Sequence, residues 1–170
     1  SFSGLAVNST RTIPSATRIT TATIRYSTGS SGGAQIGTGN IQLLSTGGNP
    51  GNTSSTGIDL NLNFTGRISG NLSFDAATVF NGTGDRSGSL RIYFSIDGST
   101  WTEITETNLP YVATNNLAGS ASINVPIPAS VNGSNQVKLR FYYHNAPVGT
   151  TGSRPKISID NVVVTSVSDG

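Results

Sequence analysis

The sequence contains no cysteine and no methionine, and its 170 residues include a single histidine, His144. Without cysteine the chain cannot form a disulfide, a thiolate metal site or a thiol nucleophile. One histidine cannot build a zinc site from several imidazoles, and a serine–histidine catalytic pair would have to use it. No apolar run approaches the ~20 residues that a membrane-spanning helix needs. The sequence therefore excludes several enzyme classes and gives no reason to expect a membrane span.

Charge is also scarce, since only 11% of the residues are charged, with 10 basic and 8 acidic side chains. Proteins that bind nucleic acid cluster their basic residues on one face. Here the arginines are scattered singly along the chain, at Arg11, Arg18, Arg25, Arg67, Arg86, Arg91, Arg140 and Arg154. We therefore expect no nucleic-acid partner. The surface is instead rich in Ser, Thr, Asn and Gly, and together with the missing cysteine this favours an extracellular or cell-surface location.

Period-2 alternation of apolar residues runs through the chain, whereas helical periodicity is missing. It is clearest in Arg67–Phe74, Ser89–Ile96 and Val137–Tyr143. Weaker candidate strands are Ile19–Tyr26, Gly39–Leu44, Ile58–Phe64, Thr100–Thr105, Ala121–Val125 and Lys156–Val164. About nine short strands separated by turn residues predict an all-β antiparallel sandwich, here a single domain over residues 1–170. The Gly- and Ser-rich stretches Ser27–Gly33 and Ser45–Gly57 are predicted to be exposed loops.

The alternation also predicts which side chains are buried, because strands of an antiparallel sheet commonly have one buried and one solvated face. The predicted core positions are Leu90, Ile92, Phe94, Leu139 and Phe141. The predicted exposed positions are Arg91, Tyr93, Lys138 and Arg140. The dipeptide Asp97-Gly98 predicts a hairpin turn, in which Gly98 takes a positive φ.

Two parts of the sequence resemble a known architecture. The hairpin made by Gly88–Phe94 and Ser95–Ile104 is similar to one common in secreted bacterial modules. The strand Val137–Tyr143, paired with Ile157–Val164, is similar as well. Together they resemble jelly-roll domains of the galactose-binding and carbohydrate-binding-module type. The resemblance covers roughly the second half of the chain and implies a jelly-roll sandwich that binds glycan.

Modules of this type often hold a structural calcium ion near the chain ends, so the resemblance implies Ca²⁺ as a candidate cofactor. Asp160 is the position that matches the family pattern. The acidic residue that such modules contribute near their start has no counterpart, because residues 1–58 contain no Asp or Glu. The alternative is that Asp160 caps a β-bulge between Ile159 and Val162.

A sugar site combines an aromatic platform with nearby polar groups, because a sugar ring has an apolar face and a polar rim. The predicted ligand-binding residues are Tyr142, His144 and Asn145 at one strand end, with Tyr111 on a separate loop. The alternative interpretation of each tyrosine is ordinary cross-strand packing, and that of His144 is a strand-end residue that faces water or bonds a loop carbonyl. The resemblance places Trp101, the only tryptophan, in the core.

Catalytic residues are harder to find. A glycosidase needs two carboxylates across a cleft, and no pair of acids stands out, although Glu103 and Glu106 are close in sequence. Gly29-Ser30-Ser31-Gly32-Gly33 matches a nucleophile motif, but no helix pattern follows it. We therefore predict no enzyme.

The first functional hypothesis is a non-catalytic extracellular module that binds polysaccharide or cell-surface glycan or mediates adhesion. The second is a self-associating subunit of an extracellular fibre or surface layer, and a small polysaccharide hydrolase is a distant third.

Overall fold

A computed structural model describes residues 5–7, 33–36, 39–45, 51–146 and 148–170, with side chains described for 39–45, 56–146 and 148–170. These residues form eleven strands and one short 3-10 turn, Ala129–Val131. The strands are β1 (Leu5–Val7), β2 (Gly33–Ile36), β3 (Ile41–Leu44), β4 (Gly51–Leu62), β5 (Arg67–Val79), β6 (Ser87–Ser95), β7 (Thr102–Ile104), β8 (Tyr111–Thr114), β9 (Ser120–Pro126), β10 (Val137–Asn145) and β11 (Lys156–Ser168).

The strands form two sheets, and within each sheet all the strand pairs are antiparallel. The larger sheet has the order β1-β4-β10-β6-β7, with β8 also paired to β6, and the smaller has the order β2-β3-β11-β5-β9. The predicted all-β antiparallel sandwich is confirmed. Among the described residues no helix is long and apolar enough to cross a membrane.

The main core lies between the two sheets, where one face of each strand meets the other sheet. Leu90, Ile92, Leu139 and Phe141 are buried there as predicted, whereas Phe94 is only half-buried. The rings of Phe74 and Phe141 meet edge to face with their centroids 5.0 Å apart. Because Phe74 belongs to β5 and Phe141 to β10, this contact joins the two sheets.

Most of the predicted strands are present, but two expectations about the chain's course are wrong. Residues 51–57 were expected in an exposed loop, yet they belong to β4, because backbone pairing with β10 needs no apolar side chain. Thr56 is buried there and donates a hydrogen bond to the carbonyl of Leu44.

The expected pairing of Val137–Tyr143 with Ile157–Val164 is also wrong, since β10 and β11 belong to different sheets. Gly33 of the other expected loop belongs to β2; the predicted strand Ile19–Tyr26 lies outside the described residues.

The hairpin between β6 and β7 agrees with its sequence signal. Gly98 has a φ of +78°, a region that side-chain-bearing residues resist. The carboxylate of Asp97 accepts hydrogen bonds from the amides of Thr100 and Ser99 and from the Ser95 hydroxyl, which lower the pKa of Asp97 to about 2. The turn is thus closed by an ionised carboxylate, and it carries the chain directly into Trp101.

Candidate functional site

The outer face of the larger sheet carries a second buried layer, built from polar and aromatic side chains. Strand alternation places Asp59 of β4, Arg140 and Tyr142 of β10 and Tyr93 of β6 on this face, opposite the apolar core. All four are buried, Arg140 to 3% exposure and Tyr142 to 0%. The predicted exposure of Tyr93 and Arg140 is therefore wrong, because alternation identifies the face of a sheet but not what covers that face. Arg91 and Lys138, also predicted to be exposed, are half-buried.

An ion pair lies at the centre of this layer. The Nε of Arg140 donates to Oδ1 of Asp59 at 2.6 Å, and its Nη2 donates to Oδ2 at 3.0 Å. This two-bond geometry matches the planar guanidinium to the planar carboxylate and fixes the orientation of the arginine. The guanidinium plane thus becomes a rigid support on the sheet.

Trp101 lies over that support, with the guanidinium carbon of Arg140 3.8 Å from its ring centroid. The tryptophan also packs against the cluster of Tyr93 and Tyr142, and it is half-buried. The prediction that Trp101 lies in the core is wrong. Because Thr102 and Ile104 pair with inward positions of β6, alternation directs Trp101 and Glu103 to the outer face.

Tyr142 belongs to the same layer, and it is fully buried rather than available on the surface. Its ring meets Tyr93 edge to face at 6.1 Å and lies 5.8 Å from the ring of His144. Gly57 on β4 lies beside it, and a Cβ there would be in ordinary van der Waals contact with the Tyr142 ring, at 3.6 Å. The expectation that Tyr142 is an exposed platform is therefore wrong.

His144 is buried as well, and its hydrogen bonds indicate a neutral ring. Its Nε2 accepts a hydrogen bond of 3.0 Å from Nε of Arg91, so that nitrogen carries no proton. Its Nδ1 lies 2.8 Å from the carbonyl oxygen of Asn145, to which it donates. Arg91 in turn forms an ion pair of 2.7 Å with Glu103. The alternative interpretation is a strand-end residue that faces water or bonds a loop carbonyl; the ring bonds a carbonyl, that of Asn145 at the end of β10, and does not face water.

The four predicted ligand residues do not share one surface. Tyr142, His144 and Asn145 come together at the end of β10, but all three are buried. Tyr111 lies on the core side of the larger sheet, opposite Leu90, and its hydroxyl is 2.7 Å from that of Thr78 in the smaller sheet. Its expected exposure on a loop is wrong, because Tyr111 begins β8 and packs into the core. A ligand-binding role for these residues stays untested.

A surface cavity of about 410 Å³ opens where β4 ends and β10 begins. It is lined by carboxamides, two apolar residues and one lysine: Asn61, Leu62, Asn63, Asn135, Gln136, Val137 and Lys138. Lys138 lies two residues before Arg140, on the same outer face of β10. The cavity therefore continues the face that carries Trp101. Nothing in the sequence singled out these amides, which look like ordinary loop residues.

The rim of this cavity is held by backbone hydrogen bonds between two loops. The amide of Phe64 donates to the carbonyl of Ser134 at 2.7 Å, and the amide of Gly133 donates to the carbonyl of Phe64 at 3.0 Å. The Phe64 side chain is buried in the core. The loops that supply Asn63, Asn135 and Gln136 are thus fixed to each other and to the core.

Asp160 lies at an irregularity of β11, where the register with β5 shifts between Asp160 and Val163. Asn161 there has a φ of +53°, and its amide donates to Oδ1 of Asp160 at 2.8 Å. The alternative interpretation, a carboxylate that caps a bulge, is therefore confirmed. Asp75 is opposite Asp160, and hydrogen bonds from the side chains of Asn161 and Ser122 lower its pKa.

These residues do not fit a calcium ion well. Calcium takes 6–8 oxygen ligands, whereas within the described ranges no three acidic or histidine side chains group together. Both oxygens of Asp75 and one of Asp160 already accept hydrogen bonds. The predicted role of Asp160 as a calcium ligand remains untested.

We expect a chelator to leave the melting temperature unchanged, and Asp160→Ala to lower the free energy of unfolding by about 1 kcal/mol, the typical contribution of one hydrogen bond. Thermal melts with chelator and with excess Ca²⁺ measure both effects. Stabilisation of the wild type, but not of Asp160→Ala, by Ca²⁺ would instead support a metal at Asp160, because a ligand bound only to the native state stabilises it.

Comparison with known proteins supports the architecture. No family model matches the sequence, and no curated protein matches it. Among solved structures, the chain is similar to the carbohydrate-binding module CBM28, specific for non-crystalline cellulose, with a TM-score of 0.51 and 12% identity over 95% of this chain and 86% of the other.

Two further solved structures match less well. One is CBM27-1 of Caldicellulosiruptor saccharolyticus in complex with mannohexaose, with a TM-score of 0.46 and 16% identity over 72% of both chains. The other is the N-terminal cellulose-binding domain of Cellulomonas fimi β-1,4-glucanase C, with a TM-score of 0.44 and 10% identity over 81% of this chain and 84% of that one. The match to CBM28, whose TM-score exceeds 0.5, confirms the resemblance to the β-sandwich of carbohydrate-binding modules at the level of the fold.

Proposed function

We propose that this chain is a non-catalytic, extracellular module that binds polysaccharide or cell-surface glycan, and that Trp101 is its platform. The observation that carries the proposal is the stacking of Trp101 on the guanidinium of Arg140, 3.8 Å from the ring centroid. Arg140 is itself fixed by Asp59, so the ring is oriented before a ligand arrives. Preorganisation of this kind lowers the entropic cost of binding.

The polar groups beside the platform suit a sugar. An aromatic face binds the apolar face of a sugar ring, while amides and charged groups bond the hydroxyls at its rim. The carboxamide-lined cavity begins at Lys138, on the same face of β10 as Arg140. A glycan that lies along this face would thus meet one stacking surface and one hydrogen-bonding surface.

The acidic residues support a non-catalytic role. All eight of them, together with His144, lie within the described ranges. Asp59 and Glu103 are in ion pairs, and the carboxylates of Asp85 and Glu106 accept backbone hydrogen bonds. Hydrogen bonds from Thr151 and Thr150 lower the pKa of Asp85. A general acid needs the opposite, a raised pKa.

We expect Trp101→Ala to weaken binding to a soluble polysaccharide at least about tenfold, while the loss of the contact with Arg140 costs at most about 2 kcal/mol of folding stability. Affinity electrophoresis against a panel of neutral and acidic polysaccharides, with thermal melts in parallel, measures both. Trp101→Phe keeps a flat ring and should retain part of the binding. Phe80→Ala is the matched control, because Phe80 is an aromatic residue with 62% exposure outside this face. Binding by Trp101→Ala equal to that of the wild type would contradict the platform.

A second candidate function, self-association into a fibre or surface layer, is favoured by the edge of β11. β3 pairs only with Ile157–Ile159 of that strand, and among the described residues no other strand pairs with this edge beyond Ile159. Val163 and Val167 in the later part are 50% and 62% exposed. Exposed edges of this kind can pair between molecules. Polymers that form at rising concentration, from a wild type that binds no polysaccharide, would favour this second function.

A further inference from the structure

We propose that the carboxamide-lined cavity recognises an anionic group on the glycan, a carboxylate or a sulfate, and that Lys138 selects it. This inference rests on the proposed glycan-binding function and assigns the class of ligand. The outer face of the larger sheet, which carries Trp101, ends at the cavity of about 410 Å³ between the loop after β4 and the loop before β10.

The hydrogen bonds already present occupy acceptor oxygens of two of the carboxamides that line the cavity. Oδ1 of Asn61 accepts from Nζ of Lys138 at 2.9 Å, and Oδ1 of Asn63 accepts from the amide of Thr65 at 2.9 Å. Each of these two oxygens thus already accepts one of the two hydrogen bonds it can take, whereas the NH₂ group of the same side chain only donates. The lysine ammonium carries three N–H groups and likewise only donates. A ligand group that accepts several hydrogen bonds is the complement of this set.

The charge of Lys138 points the same way. Arg91–Glu103 and Asp59–Arg140 form ion pairs, and neither of them involves Lys138. Asp59 is one position along the same face of β4 from Asn61, but both of its oxygens bond Arg140. Asp97 lies in the neighbouring hairpin, where its Oδ1 accepts three hydrogen bonds within the turn. Lys138 thus forms no ion pair with either of these two acids.

The position of Lys138 is fixed well enough to discriminate between ligands. Lys138 is half-buried, pairs with Asn61 on β4 and Ser95 on β6, and has its Cε near Gly98, 3.9 Å from where a Cβ would lie. Charge-assisted hydrogen bonds to oxygen anions are roughly twice as strong as neutral ones. An acidic sugar should therefore bind more tightly here than its uncharged counterpart.

The test compares polygalacturonate with highly methyl-esterified pectin, which has a similar backbone but few free carboxylates, and dextran sulfate with dextran. We expect the wild type to bind at least one acidic chain about tenfold more tightly than its neutral partner, as one charge-assisted contact would give. The preference should shrink at high ionic strength, because salt screens exposed charges. A preference for polygalacturonate over esterified pectin would identify a carboxylate as the ligand group, and a preference for dextran sulfate over dextran would identify a sulfate.

Lys138→Gln should abolish the preference for acidic over neutral chains. Lys156→Gln is the matched control, since Lys156 is the chain's other lysine, lies on the smaller sheet and carries the same charge. Loss of the preference in both variants would assign it to net charge and overturn the proposal. Trp101-dependent binding of neutral chains, with no acidic preference, would overturn it too while leaving the proposed function intact. Failure to bind any chain would overturn both.

Discussion

Asp59→Ala is expected to lower the free energy of unfolding by about 3–5 kcal/mol, because it leaves the charge of Arg140 buried without its carboxylate. Arg140 is 3% exposed and Asp59 2%, so water cannot replace the lost partner in the native state. A domain stability of about 5–15 kcal/mol is typical, and this single change removes a large part of it. Urea unfolding followed by tryptophan fluorescence measures the loss, and Trp101 reports on the same contact.

Two further variants make the cause of that loss testable. Replacing both partners, Asp59→Leu with Arg140→Met, should recover much of the stability, since no charge then remains buried. Glu103→Ala breaks the ion pair with Arg91, in which the Arg91 side chain is 27% exposed and the Glu103 side chain 28%. This change should lower the free energy of unfolding by at most about 1 kcal/mol. A double variant as unstable as Asp59→Ala would show that packing, rather than the unpaired charge, dominates.

Tyr142→Ala is expected to cost about 3–5 kcal/mol, the range for truncating a buried aromatic residue. The ring is fully buried on the outer face of β10, against Tyr93 and beside Gly57. Tyr142→Phe keeps the ring and should retain most of the stability. The midpoint of urea unfolding should fall in Tyr142→Ala without a change in the slope, which reports a loss of stability rather than a change in the denatured state.

Tyr142 and Trp101 lie on the same outer face, but their replacement by alanine should have different effects. Tyr142→Ala should disturb the fold, whereas Trp101→Ala should disturb binding more than folding. A stable Tyr142→Ala variant that binds less glycan would contradict the buried placement and restore Tyr142 as a surface platform.

The sequence predicted the strands far better than the surface. The alternation in β6 and β10 identified the inner face correctly, because residues such as Leu90 and Leu139 are strongly apolar. It could not reveal that the outer face of the same strands is buried too. The residues there are Arg, Tyr and Asp, which are usually solvated, and only the cross-strand register shows that Asp59 meets Arg140.

The candidate site was harder to predict, for a related reason. One signal for Trp101 was present: once Ile104 is assigned to the inner face, alternation places Trp101 on the outer one. The resemblance outweighed that signal and suggested the core. The amides of the cavity gave no signal, because Asn63 and Gln136 become neighbours only when two loops distant in sequence meet across β4 and β10.

The two loops that meet at Phe64 have a consequence for how this domain can evolve. Phe64 holds the loop after β4 to the loop before β10 through its backbone hydrogen bonds and its buried ring. Asn63, Asn135 and Gln136, in the same two loops, are exposed. Exchanging these three side chains should alter ligand preference with little effect on folding, since exposed substitutions usually change stability by less than about 0.5 kcal/mol. Relatives with the same sandwich could thus diversify their specificity one turn residue at a time, and a library randomised at these positions would begin from a scaffold that tolerates the changes.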